Sequence, residues 1–410
     1  MKKLAFVKNP LKKQFLIPLI TFLFLFIGTA VAVLYGRGYR LGGFNQGRIL
    51  TGTGLLVATS TPDSAQVFIN GHLTTATNNT INLAPGTYTV KIFKDGYFPW
   101  EKNIIVQKEV VAKAEALLFP QAPKLESVTT TGVQNPVIDP TMSKIAYIVA
   151  SQSARKNGVF VLDMNSRPIL ALQGASVQLA DDTADTFSKA TTLSWSPDGQ
   201  ELLASISADP TLPPTLYLLK TSGFNQTPQD VTATIETVRS SWKKVQDEKD
   251  KALFGSIDER ERTLVKQNFR ILSWSPDETK VLYLASVSAT LPPAIVPGLI
   301  GTNSTKEERS IKKDNLYIYD LKEDKNFSLL GAGANTAHAF SWFSDSKHII
   351  YTHDKRIDVL EYDGSNLTTI YAGPFLDSYV FPWVGGSRIT ILTNLGNPDI
   401  PPNLYTIGIK

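Results

Sequence analysis

The stretch LSWSPDGQELLAS, residues 193–205, places Trp195 two residues before a proline, follows it with Asp198-Gly199 and runs on into a short apolar strand. Nearly the same sentence returns as ILSWSPDETKVLYLAS from Ile271, with Trp274 and Asp277 in the matching places. A segment that recurs within one chain marks a repeated supersecondary unit, and weaker copies surround these two. AFSWFSDSKHIIYTHD, from Ala339, keeps Trp342 and Asp345 but has Phe343 and Ser344 for the Ser-Pro pair. YVFPWVGGSRITILTN, from Tyr379, is read as keeping Trp383, with Gly385-Gly386 making the turn. NPVIDPTMSKIAYIVA, from Asn135, carries Ile138 where the others carry tryptophan.

Each copy extends in the same way: strand, Asp-Gly-like turn, strand, loop, strand. The third strands are TLYLLK after ADPTLPP, NLYIYDL after a long excursion, and NLYTIGI after GNPDIPP. One such small sheet cannot bury both of its faces, whereas a ring of them stacked face to face can. The tryptophan ending each first strand is read as core between neighbouring blades. The last copy supplies three strands, and the alternating KLESVTTT at 124–131 is expected to pair with it and close the ring. The count is five blades, or six if another is hidden in 167–190. The S-W-S-P-D-G pattern resembles the WD-repeat-like, TolB-type propeller repeats of bacterial envelope proteins, over about Pro120–Lys410 and most closely at Trp195 and Trp274. The resemblance implies a scaffold and no particular reaction.

The N-terminus sets the expected location. MKKLAFVKNPLKK carries five lysines and no acid, and Phe15–Tyr35 is an uncharged run of 21 residues. At ~1.5 Å per residue that run crosses a hydrocarbon core of roughly 30 Å. The lysines place residues 1–14 in the cytoplasm and the rest outside, anchored through Phe15–Tyr35, although Arg37 and Arg40 soften the contrast. Pro18 is expected in the first helical turn, where a missing donor matters least. Ala30-Val31-Ala32 resembles a signal-peptidase site, but the apolar run exceeds the ~7–15 residues of a signal core and favours retention. A tail of 14 residues leaves a sensor no output domain of its own.

The charge of +4 is a topology signal, because beyond Gln14 there are 36 basic against 37 acidic residues. No basic stripe for nucleic acid is present. Composition is that of a globular chain, 42% hydrophobic and 19% charged. With 0 cysteines, disulfides, thiolate zinc sites, cysteine nucleophiles and a lipobox anchor are all excluded.

After a glycine-rich stalk at 36–53, short alternating runs such as Gln66–Ile69 and Thr87–Ile92 are separated by Asn70-Gly71, Pro85-Gly86 and Asp95-Gly96. They predict a small β-sandwich over 54–119. Pro62-Asp63-Ser64-Ala65, Val67–Gly71, Leu83–Tyr88 and Gly96-Tyr97 resemble the PEGA domain of bacterial and archaeal surface proteins, with Asp and Ser in place of that family's Glu and Gly. The resemblance implies an envelope setting and carries no catalytic residue. The fold class is therefore all-β: a transmembrane helix, a PEGA-like sandwich and a propeller over 120–410 with a helical insertion at about 229–267.

Function is expected on the propeller rim that carries the insertions. Val231, Ile235, Val238, Trp242 and Val245 recur at three- and four-residue spacing and form an apolar stripe, which either packs on the propeller or receives a partner. Leu291, Pro292 and Pro293, with Leu212-Pro213-Pro214 and Ile400-Pro401-Pro402, either line a central pocket or stiffen loops. His72, His338, His348 and His353 match no metal motif, and no nucleophile elbow, phosphate loop or dinucleotide fingerprint is present. No catalytic residue, cofactor or metal is assigned. Binding of an envelope polysaccharide or a surface protein is the leading reading; hydrolysis or cleavage of cell-wall sugars by acids in the propeller mouth is the alternative.

Overall fold

The computed structural model describes residues 13–36, 39–41, 50–165, 176–207 and 211–409. The tail up to residue 12, stalk residues 42–49 and the 166–175 part of the segment considered for a sixth blade lie outside them.

Helix α1, Lys13–Gly36, has 24 residues and exposes apolar side chains on every side from Ile17 onward. At about 1.5 Å per residue it is long enough to cross a membrane, and its composition allows it. It begins before Phe15, so Pro18 falls in the second turn and gives up an intrahelical bond there. Within the stalk, Tyr39–Leu41 pairs antiparallel with Leu50–Gly52.

The described residues form two compact units: one runs up to Ile92 with Glu101–Ala116 and Ile300–Ser304, the other holds Phe93–Trp100, Leu117–Leu299 and Thr305 onward. The sandwich has a three-stranded sheet (Asn79–Leu83, Gly54–Thr61, Val111–Leu117) and a four-stranded one (His72–Ala76, Gln66–Ile69, Gly86–Phe93, Trp100–Val106). Period-two burial puts Leu56, Ala58, Ala112 and Ala114 of the first sheet inside, with Val67, Ile69, Val90 and Ile92 of the second. Asn70 and Gly71 both take positive φ, 48° and 81°, as a tight hairpin between right-twisted strands demands.

Among the described residues the second unit has five four-stranded antiparallel sheets, a β-propeller. Sheet I is Gln134–Ile138, Lys144–Val149, Gly158–Asp163 and Ser176–Ala180; sheet II is Ala190–Trp195, Glu201–Ile206, Thr215–Lys220 and Gln229–Asp230. Sheet III is Phe269–Trp274, Lys280–Ala285, Asn315–Asp320 and Lys325–Gly333; sheet IV is Phe340–Trp342, His348–His353, Arg356–Glu361 and Thr368–Ala372. Sheet V takes Val380–Pro382, Arg388–Thr393 and Asn403–Gly408, and its outer strand is Leu125–Ser127, paired Leu125 to Ile407 and Ser127 to Tyr405. The closing strand expected from KLESVTTT is thus in place.

Apolar layers between sheets hold the ring. Ile148 and Val161 of sheet I meet Leu193 and Leu202 of sheet II. Leu284 and Ile318 of III meet Trp342 and Leu360 of IV, Ile350 and Val359 of IV meet Ile391 and Ile407 of V, and Leu392 and Leu404 of V meet Tyr147 and Leu162 of I. Each such fully buried side chain contributes about 1.5–3 kcal/mol. The remaining face of sheet III is different: Val281, Tyr283 and Tyr319 are covered by Leu264 and Val265 of helix α3 (Glu259–Asn268) and by Phe254 of helix α2 (Ile235–Ser256). Helix α2 also reaches sheet II, where Trp242 Nε1 donates to Glu201 Oε2 at 2.8 Å and Lys249 Nζ to Pro197 O. The insertion is therefore a wedge between sheets II and III.

The repeated sentence spells a turn. Ser275 Oγ donates to Asp277 Oδ1 at 2.7 Å and accepts from Lys280 N at 2.9 Å, while Ser275 N donates to Lys280 O. Ser196, Asp198 and Glu201 repeat this bond for bond. In sheet IV Phe343 has replaced the serine, and His348 Nδ1 meets Asp345 Oδ2 at 2.6 Å instead. In sheet I Asp139 takes the serine's place and accepts from Ser143 N and Lys144 N. Sheet V corrects the sequence reading. Trp383 N donates to Arg388 O, the bond made by Ser196 and Ser275, and Pro382 pairs with Ile389 as Trp342 does with Ile349. The counterpart of the repeated tryptophan is Pro382, and Trp383 stands one residue later.

Candidate functional site

The first strands of the five sheets surround a cavity of about 930 Å³. Its walls are mainly apolar: Leu193, Trp195, Leu272, Phe340, Trp342 and Phe381 all line it. Trp195 and Trp342 thus serve both the layers between sheets and the cavity wall, whereas Trp274 packs edge-on to Phe254 of helix α2. Trp195 Nε1 fixes its ring by donating to Val137 O of sheet I at 3.1 Å. Trp342 Nε1 is buried without a partner.

Polar groups in the lining are few. Asp139 is the one carboxylate among the described lining residues, and its oxygens are already engaged by Thr141, Ser143 and Lys144 of its own turn. A carboxylate that holds several backbone N–H groups of its own turn is committed to the turn. Arg270 lies 3.7 Å from Asp314, and His338 enters the wall from the short helical turn Ala337–Ala339. Among the described residues no group of three His, Asp or Glu could hold a metal.

The residues singled out in the sequence lie elsewhere. Val231 is fully buried before α2 begins, and Ile235, Val238, Trp242 and Val245 are half-buried on that helix, so the stripe faces the propeller side. Leu291 is buried on sheet III with Ile311 and Tyr317. Pro292 and Pro293 form, with Glu259, Thr263 and Gln267 of α3, the walls of a second groove of about 440 Å³. Leu212 and Ile400 are exposed, and neither proline pair beside them lines the central cavity. The Leu-Pro-Pro segments therefore shape loops, and one of them builds an outer groove. His348 is buried edge-on to Phe119. His353 stacks on Tyr351 and bonds Asp358 Oδ2 at 2.8 Å. Sequence reasoning passed over Arg270, Leu272, Phe340 and Phe381, and weighed His338 only as a metal ligand. For Arg270, Leu272, Phe340 and Phe381 the signal was their position in first strands, which a ring turns toward its axis.

Residues 53–120 are a PEGA domain, which is less than half of the chain. No curated protein matches the chain. Among solved structures, it is similar to TolB from Acinetobacter baumannii at 13% identity and a TM-score of 0.21, over 78% of this chain and 60% of that one. The putative TolB from Agrobacterium tumefaciens is 12% identical with a TM-score of 0.22, over 70% of this chain and 97% of that one. The β-propeller domain of the Trilobed protease from Pyrococcus furiosus is 13% identical with a TM-score of 0.23, over 87% and 96%. Likeness this distant adds no functional detail, and the propeller assignment stands on the sheets themselves. The chain joins an apolar N-terminal helix, a PEGA domain and a β-propeller.

Proposed function

We propose that the protein is a membrane-anchored, outward-facing scaffold of the cell envelope that binds a protein partner by taking an apolar peptide segment into the propeller's central cavity. The observation that carries this reading is the wall chemistry. A polysaccharide needs many hydrogen-bonding groups per ring, whereas the cavity offers mostly aromatic and aliphatic surface, with Arg270, His338, Ser273, Ser341 and the turn-bound Asp139 as its polar points. Binding is favoured over sugar hydrolysis because the mouth holds a single carboxylate among the described residues, committed to its own turn, where hydrolysis calls for a pair. The lysine-rich tail supports the outward orientation through the positive-inside rule.

The test uses the full-length protein in its own host. A photoreactive phenylalanine analogue replaces Leu272, which is 42% exposed and lines the cavity, or Leu367, which is exposed and outside it. The expected result is a discrete protein adduct from position 272 and none from 367. Adducts to glycan alone, or the same adducts from both positions, would overturn the reading. Because the chain has 0 cysteines, Leu395→Cys also reports orientation. An impermeant maleimide should label it in intact cells, and labelling only after lysis would reverse the proposed topology.

A further inference from the structure

Helix α3 covers a face of sheet III that a neighbouring sheet covers at the other interfaces, and one ionisable group lies beneath it. Glu261 is 6% exposed, and its Oε1 has no hydrogen-bond partner. It is the third residue of a helix capped by Asp258, whose Oδ1 accepts from Arg260 N at 2.9 Å, so it occupies the capping-box position.

The groups that face Glu261 are mostly acids: Asp324, Asp258 and Asp320, with the Tyr319 hydroxyl beside them. None of the cations of this region forms an ion pair with Glu261 among the described residues. Arg309 pairs with Asp324 at 3.2 Å and Glu307 at 2.9 Å, Lys280 with Asp320 at 3.8 Å, and Arg262 donates from Nη2 to Ile257 O while its buried Nε has no hydrogen-bond partner. Asp324 also accepts the Tyr319 hydroxyl and the backbone N–H of Ala294 and Ile295, at 2.7 and 2.9 Å. It therefore pins the Pro292–Ala294 wall of the outer groove, while α3 forms the other wall.

We propose that Glu261 is a proton latch on the helical wedge: protonated, it lets α3 close over sheet III, and ionised, it is driven from Asp324, so that α3 loosens and the outer groove opens. Burial first, and then the charges of Asp324 and Asp258, raise its carboxyl from 4.5 to about 7, so the latch works close to neutrality. A carboxyl whose folded value is raised favours the closed state fully below about 4.5, and that preference is lost as pH rises to about 7. If opening returns Glu261 to solvent, the opening equilibrium rises about twentyfold between roughly pH 5.5 and 7.5. Gln at 261 keeps the shape and the capping role of the protonated acid.

Amide hydrogen exchange on the full-length protein, corrected for the intrinsic pH dependence of exchange, reads this directly in peptides spanning 258–268 and 290–296. Wild type should lose protection in both by about twentyfold over that interval. Glu261→Gln should hold the low-pH protection throughout. Protection in wild type that does not change with pH overturns the latch whether or not the variant folds. An equal change in wild type and Glu261→Gln overturns it too, by assigning the pH dependence to another group.

Discussion

Glu278→Gly should make the protein more stable. Glu278 sits at the tip of the turn in sheet III with φ at 58°, in the left-handed region, and its exposed side chain makes no hydrogen bond or ion pair among the described residues. The matching tip in sheet II is Gly199, with φ at 68°. A non-glycine residue held in this region costs about 1–2 kcal/mol. Glycine relieves that strain but gives the unfolded chain more freedom, worth about 0.4–1 kcal/mol. The net gain is about 0.5–1 kcal/mol, and near 2 °C in melting temperature for a unit of this size. The reciprocal change, Gly199→Glu, should cost more than the left-handed penalty alone, because a Cβ there stands 3.2 Å from Asp139 Oδ2. Urea unfolding followed by tryptophan fluorescence measures both. A lower midpoint for Glu278→Gly at unchanged slope would refute the argument, since it would mean that the glutamate side chain contributes more than its backbone costs.

Two more outcomes follow from the same geometry. Ser275→Ala removes both side-chain bonds of a serine that is 2% exposed and strands Lys280 N, so it should cost about 2–3 kcal/mol in the same unfolding assay. Burial alone would lower His353, but its bonds to Asp358 and Asp354 win and hold it above 6.5; the stability this pairing gives is complete below about 6.5 and lost as pH rises through the raised value. A histidine NMR titration should show Asp358→Asn lowering the His353 midpoint, and an unmoved midpoint would discard the assignment.

Much of the fold could be read from the sequence because the turn is built from local bonds. Ser196 reaches Asp198 and Glu201 within five residues, so the pattern survives as a quotable string. Sheet V was misread for the same reason: Trp383 and the Gly385-Gly386 pair imitate the string, and only the cross-strand register reveals Pro382 as the counterpart. The helices of the insertion were legible from their spacing. Their role as a wedge was not, because it depends on contacts such as Trp242 with Glu201, 41 residues away. Asp258 and Glu261 do spell a capping box, so the start of α3 could have been found in advance. What made Glu261 chemically distinct, its burial beside Asp324, could not.

The outer strand of sheet V has a consequence for how the molecule is made. Leu404 N donates to Thr129 Oγ1, a bond spanning 275 residues. A chain emerging from its N-terminus can assemble the sandwich and sheets I to IV while Leu125–Ser127 still waits for its partner, and closure is deferred until the strand Asn403–Gly408 arrives. So long a loop slows the final pairing and leaves an unpaired edge exposed in the meantime. The strand Asn403–Gly408 thus decides whether a nearly complete ring becomes a closed one, and a nascent chain stalled shortly before it is the species that chaperones and proteases of its compartment would meet.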